Sequence, residues 1–174
     1  GSSVIPQQGY RTEVYTDIRL GVQIPVLAAA VTREQLFEVF LDLLDPLGEE
    51  VDVVLETSHT SNGGPHKDLW RKYIDLPILK SKCLDYQELL THDGCTGIAV
   101  LSSNGPLEVQ FDEHKLLVVY AHNLKPFQTI MEEAGVLREK IKLITEGAHL
   151  HSTDEKFTDE FDAFRMHMGI DNDF

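Results

Sequence analysis

The chain has 174 residues, 42% of them hydrophobic and 25% charged, enough for one buried core and too few for two domains of ordinary size. Its 29 Asp and Glu against 15 Lys and Arg leave a formal charge of −14, which repels phosphate backbones and argues against nucleic-acid binding. No apolar stretch approaches the roughly 18 residues of a membrane span and no basic-then-apolar leader is visible, so a cytoplasmic protein without membrane contact is expected. Cys83 and Cys95 are its two cysteines; they match neither a dense disulfide framework nor a four-cysteine zinc pattern, and reduced thiols are the simpler expectation.

In chain order, residues 10–31 are apolar and β-branched enough to be extended, with Gly21 and Pro25 as interruptions. Thr32 and Gln35 have the spacing of a capping box, and Leu36, Val39, Phe40, Leu43, Leu44 and Leu47 follow at helical intervals until Pro46 and Gly48. The run VDVVLETS reads as a buried strand. Pro65 is placed to open a helix through Leu69, Trp70 and Tyr73 that Pro77 would break, and a second helical piece carries Leu84, Leu89 and Leu90 to a cap at Gly94. The period then changes to that of strands in GIAVLS, LEVQFD and KLLVVYA, which predicts a three-stranded antiparallel meander. Asn123 can cap a helix through Phe127, Ile130 and Met131 that stops at Gly135. KIKLIT reads as a further strand, and Ser152 with Glu155 starts an amphipathic terminal helix carrying Phe157, Phe161, Phe164 and Met168. Consecutive strands preclude strict βα alternation. The expected fold is therefore a single α+β domain over residues 10–170, a mixed, mostly antiparallel sheet of about five strands packed against helices, with residues 1–9 and 171–174 as flexible ends.

The motifs of dinucleotide, P-loop, zincin and serine-hydrolase sites are absent. Two weaker patterns carry chemistry. His149 and His151, two residues apart, would point to one face of a strand and could share a divalent metal such as zinc; His122 and His59, each just past a strand end, are candidate further ligands, with Glu56 or Asp154 as carboxylates. A metal-bound water would make such a site hydrolytic. The opposing reading places the pair on an exposed loop, interrupted by Gly147. The second pattern is the loop after VDVVLETS: Ser61 and Asn62 offer donors, Gly63 and Gly64 allow close backbone approach, and Lys67, Arg71 and Lys72 follow as the densest basic cluster of an acidic chain, so a small anion is the matching ligand. Asn-Gly-Gly-Pro is equally an ordinary surface turn, with Lys67 and Arg71 on a solvated helix face. His92, Asp93 and Cys95 suggest thiol chemistry, but the negative end of the preceding helix would disfavour a thiolate there, and Cys95 should enter a buried strand. Trp70, Tyr73 and the terminal phenylalanines fit core packing better than a partner anchor. The functional expectation is a non-enzymatic binding or regulatory module acting on a protein or small anionic ligand, with homodimerisation open; the alternative is a metal-dependent hydrolase using the His-x-His pair.

Overall fold

The computed structural model describes residues 8–19, 21–58, 67–138 and 155–170. Its elements run β1 (Gly9–Asp17), β2 (Val22–Ala30), α1 (Arg33–Leu43), β3 (Glu50–Thr57), β4 (Lys67–Asp75), α2 (Leu76–Asp85), α3 (Gln87–His92), β5 (Thr96–Ser102), β6 (Leu107–Phe111), β7 (Leu117–Ala121), α4 (Lys125–Glu133) and α5 (Glu155–His167). The α+β class holds, with seven strands in one sheet, ordered β1-β2-β7-β6-β5-β3-β4. Every neighbouring strand pair is antiparallel. Among the described residues, parallel pairing is confined to an isolated bridge between Tyr10 and Arg138.

Two segments account for the larger strand number. Residues 10–31 form a hairpin, in which Pro25 sits opposite Val14 and just outside the β2–β7 ladder of Val26–Ala29, where its missing N–H costs no pairing on that side. The helix expected through Leu69, Trp70 and Tyr73 is instead the edge strand β4. The register of β4 on β3 shifts between Val51 and Val53, and this irregularity breaks the two-residue alternation that would have marked a strand. Pro77 consequently starts α2 instead of ending a helix. Trp70 and Tyr73, expected in the core, are 54% and 66% exposed.

Opposed residues in a sheet share a face. On one face, Leu27 and Ala29 of β2, Val51, Val53 and Leu55 of β3, Ile98 and Val100 of β5, Val109 and Phe111 of β6, and Leu117, Val119 and Ala121 of β7 join the hydrophobic core. The helices bury Leu36, Phe37, Phe40, Leu43, Leu79, Leu89, Phe127, Met131, Phe161 and Phe164 in the same cluster, so the five helices among the described residues cover this one face. Phe40 meets Phe111 edge-on, with ring centroids 5.1 Å apart. Every apolar position expected on α1 and its exit turn is buried. The capping box is not formed: Thr32 makes no side-chain cap bond, and its backbone N–H, the group Gln35 would have satisfied, donates to Gln8 Oε1 at 3.0 Å. Gly135 ends α4 in a Schellman turn, with φ of +79° and the Val136 N–H bonded to the Met131 carbonyl at 2.8 Å. KIKLIT and Ser152 lie outside the described residues. No described helix is long and apolar enough to cross a membrane.

Candidate functional site

The opposite sheet face contributes nothing to the hydrophobic cluster, and its composition follows from strand parity. One row across it reads Glu13, Val26, Tyr120, Glu108, Leu101 and Asp52, from β1 through β2, β7, β6 and β5 to β3. The next reads Arg11, Ala28, Val118, Gln110, Ala99, Val54 and Trp70. The first row sets Glu13, Glu108 and Asp52 among apolar and aromatic side chains, the second is apolar apart from Arg11 and Gln110, and the described helices pack against the other face.

A cavity of about 380 Å³ lies on this face, lined by Tyr15, Ile24, Leu101, Leu107, Glu108, Gln110 and Tyr120 together with the Gly105–Pro106 turn. The rings of Tyr15 and Tyr120 stand edge-on at 6.2 Å. Among the described residues, no lysine or arginine lines it. Burial raises the pKa of Glu108, and a side-chain hydrogen bond with Gln110 partly offsets this. Tyr120 is also raised, first by burial and then by the charges of Glu108, Glu56 and Asp112 among others. Glu56, on the neighbouring stretch of β3, is raised by burial and by Asp68, Glu113, Asp112 and Glu108. Gly97 gives its carboxylate room, since a Cβ there would stand 3.3 Å from Glu56 Oε2. Half-buried carboxylates next to aromatic rings, with acids as neighbours, make this face a sink for positive charge.

At the β3–β5 end of the sheet a second polar cluster is structural. Asp93, fully buried, accepts hydrogen bonds from the Cys95 N–H at 3.2 Å and the Thr96 hydroxyl at 2.6 Å. Lys115 closes the β6–β7 hairpin with φ of +64°, the left-handed position a three-residue hairpin loop usually gives to glycine. Its Nζ reaches back to donate to the Thr96 carbonyl at 2.9 Å. Burial brings this ammonium down to about 8, against opposing effects of Asp93, Asp112, Glu113 and Cys95. Both cysteines are free and buried. Burial raises the Cys95 thiol, with Asp93 and Glu113 adding to the shift, while His92 is exposed at the end of α3. A protonated thiol with its sequence neighbour turned to solvent is not a nucleophilic pair.

His59, Ser61, Asn62, Gly63 and Gly64 lie outside the described residues, as do His149, His151 and Asp154. His122 follows β7 and is exposed. Among the described residues, no group of three or more His, Cys, Asp and Glu is placed to hold a metal ion. Lys67 is the first residue of β4 and Arg71 lies within that strand, where a helix was expected. Arg71 instead lines a different cavity, beside the end of α5. The tyrosines and Glu108 escaped sequence reasoning because alternation reveals their parity, whereas only the strand order brings β1, β6 and β7 together. The chain matches no protein-family model, no curated protein and no solved structure.

Proposed function

We propose that the protein is a non-enzymatic binding module whose open sheet face receives an organic cation, an ammonium or guanidinium on an apolar stem. The observation that carries this reading is Glu108: a half-buried carboxylate in a cavity walled by Tyr15, Tyr120, Ile24 and Leu101, with no lysine or arginine among the described residues of the lining. The volume lies in the range of small-ligand sites. A ligand cation there donates a charge-assisted hydrogen bond to the Glu108 carboxylate and is attracted to the tyrosine rings, while its stem covers the apolar wall. The shared chemistry is that of a free amine or of a lysine or arginine side chain on a partner protein.

Titration with n-butylammonium, n-butylguanidinium, neutral n-butanol and a short arginine-containing peptide tests the reading. The cations should bind saturably and n-butanol should not. Glu108→Gln should weaken binding by roughly tenfold or more, while Glu133→Gln on α4 leaves it unchanged. Tighter binding of the peptide than of the guanidinium assigns a protein partner, and equal binding a small ligand. Equal affinity for butanol and butylammonium, or indifference to Glu108→Gln, overturns the proposal.

A further inference from the structure

On the helix-covered side, where β4, the first turns of α2 and the end of α5 meet, lies a cavity of about 290 Å³. Three basic side chains from three elements line it: Arg71 of β4, Lys82 of α2 and His167 of α5, with Asp75 as the opposing acid. Among the described residues, none of the three makes an ion pair. Such convergence is unexpected by chance in a chain of formal charge −14, where basic side chains have acids in excess to pair with.

The local backbone builds the site. Helix α5 ends in a Schellman turn, with the Ile170 N–H on the Arg165 carbonyl at 3.1 Å and the Gly169 N–H on the Met166 carbonyl at 3.0 Å. Arg165 Nη1 also donates to the Ile170 carbonyl at 3.0 Å. These carbonyls are thereby satisfied, which removes much of the negative end that would repel an anion. Gly169 has φ of +73°, and a Cβ there would stand 3.1 Å from Arg71 Nη1, so glycine at this position both permits the turn and seats the guanidinium. The His167 ring is held through Nδ1 by the Tyr86 hydroxyl. When Tyr86 donates, the neutral ring carries its proton on Nε2 and keeps one donor for a ligand. Tyr73 and Ile78, 66% and 48% exposed, supply an apolar rim to the same cavity.

We propose that Arg71, Lys82 and His167 form a binding site for a phosphate monoester carried on an aromatic or apolar body. A planar guanidinium fork, a point ammonium and an imidazole N–H suit the several oxygens of one terminal phosphate, and the exposed tyrosine and isoleucine suit its carrier. This site lies across the sheet from the cation-binding cavity and is independent of it.

The test is calorimetric titration of the full chain with phenyl phosphate, inorganic phosphate and phenol. Phenyl phosphate should bind one to one with an affinity that falls with salt, inorganic phosphate more weakly, and phenol not at all. Arg71→Gln and Lys82→Gln should each weaken phenyl phosphate binding roughly tenfold or more, with circular dichroism unchanged because neither side chain is in the core. Lys125→Gln, on α4 and outside the lining, should bind as wild type does. A phosphotyrosine peptide that binds more tightly than phenyl phosphate assigns the site to a modified partner; equal binding assigns it to a small phosphate ester. Absence of saturable binding in the millimolar range, or equal weakening by Lys125→Gln, overturns the proposal.

Discussion

Lys115 offers the sharpest quantitative test of the structure. Its ammonium is brought to about 8 from an ordinary 10.5 by burial, and its Nζ is tied to the Thr96 carbonyl. Between these two values the unfolded chain keeps the proton that the folded chain has released, so the unfolded state binds more protons and stability rises with pH. Below about 8 both states are protonated and the whole cost of burying the charge is present. Each pH unit of the interval is worth about 1.4 kcal/mol, which sets a ceiling of about 3.5 kcal/mol on the gain between pH 8 and 10.5. Cysteines and tyrosines titrate in the same range, so the informative quantity is the difference between wild type and Lys115→Met, which keeps the length of the side chain without its charge. Urea unfolding of both proteins at half-unit steps from pH 7 to 10.5 should show the wild type gaining on the variant by 2–3 kcal/mol, roughly, whatever offset separates them at pH 7. Curves that stay parallel across this range would falsify the assignment of a buried, tethered amine.

Further consequences can be checked on single variants. Phe111→Ala removes a fully buried ring packed on Phe40 and should cost about 3–5 kcal/mol of unfolding free energy in urea. Asp93→Ala leaves the Cys95 N–H and the Thr96 hydroxyl without their buried acceptor and should cost about 2 kcal/mol or more, read as a lower thermal midpoint. Gly135→Ala, at φ of +79°, should cost about 1–2 kcal/mol, and Gly135→Asn less than Gly135→Ala.

Helices α1 and α4 and strand β3 were legible because they carry their own signals. Leu36 through Leu47 recur at helical spacing, VDVVLETS is continuously apolar, and Gly135 marks a helix end that the φ angle requires. What failed depended on partners distant in sequence. Thr32 has the spacing of a capping box, yet Gln8, 24 residues earlier, takes the bond assigned to Gln35. Leu69, Trp70 and Tyr73 imitate a helix face because a register shift against Val51 and Val53 disturbs the alternation, and Trp70 is exposed because it stands on the sheet face away from the core. Arg71 was singled out as anion-binding from its basic neighbours in sequence. The structure surrounds it instead with Lys82 and His167, 11 and 96 residues away along the chain. The cavity on the open sheet face has the same character, since Tyr15 and Glu108 share it only because β2 and β7 lie between β1 and β6.

The acids of the open sheet face bear on function through their cost. Glu56 and Glu108 both have raised pKa values, with burial as the first cause, so the folded state holds their protons more tightly than the unfolded chain does. The stability each contributes is present at acid pH and is lost as pH climbs from the unfolded value through the folded one. At neutral pH these two side chains therefore oppose folding, and a face needing only solubility could carry acids on its exposed rim without that cost. Glutamine at both positions keeps size and polarity while removing the charge. The double variant Glu56→Gln/Glu108→Gln should accordingly be more stable than wild type at pH 7, lose that advantage near pH 4, and no longer bind n-butylguanidinium. Such an exchange of activity for stability is the signature of residues retained for a ligand. A double variant less stable than wild type at pH 7 would show that the two carboxylates support the fold, and would remove the argument that a cation is what they await.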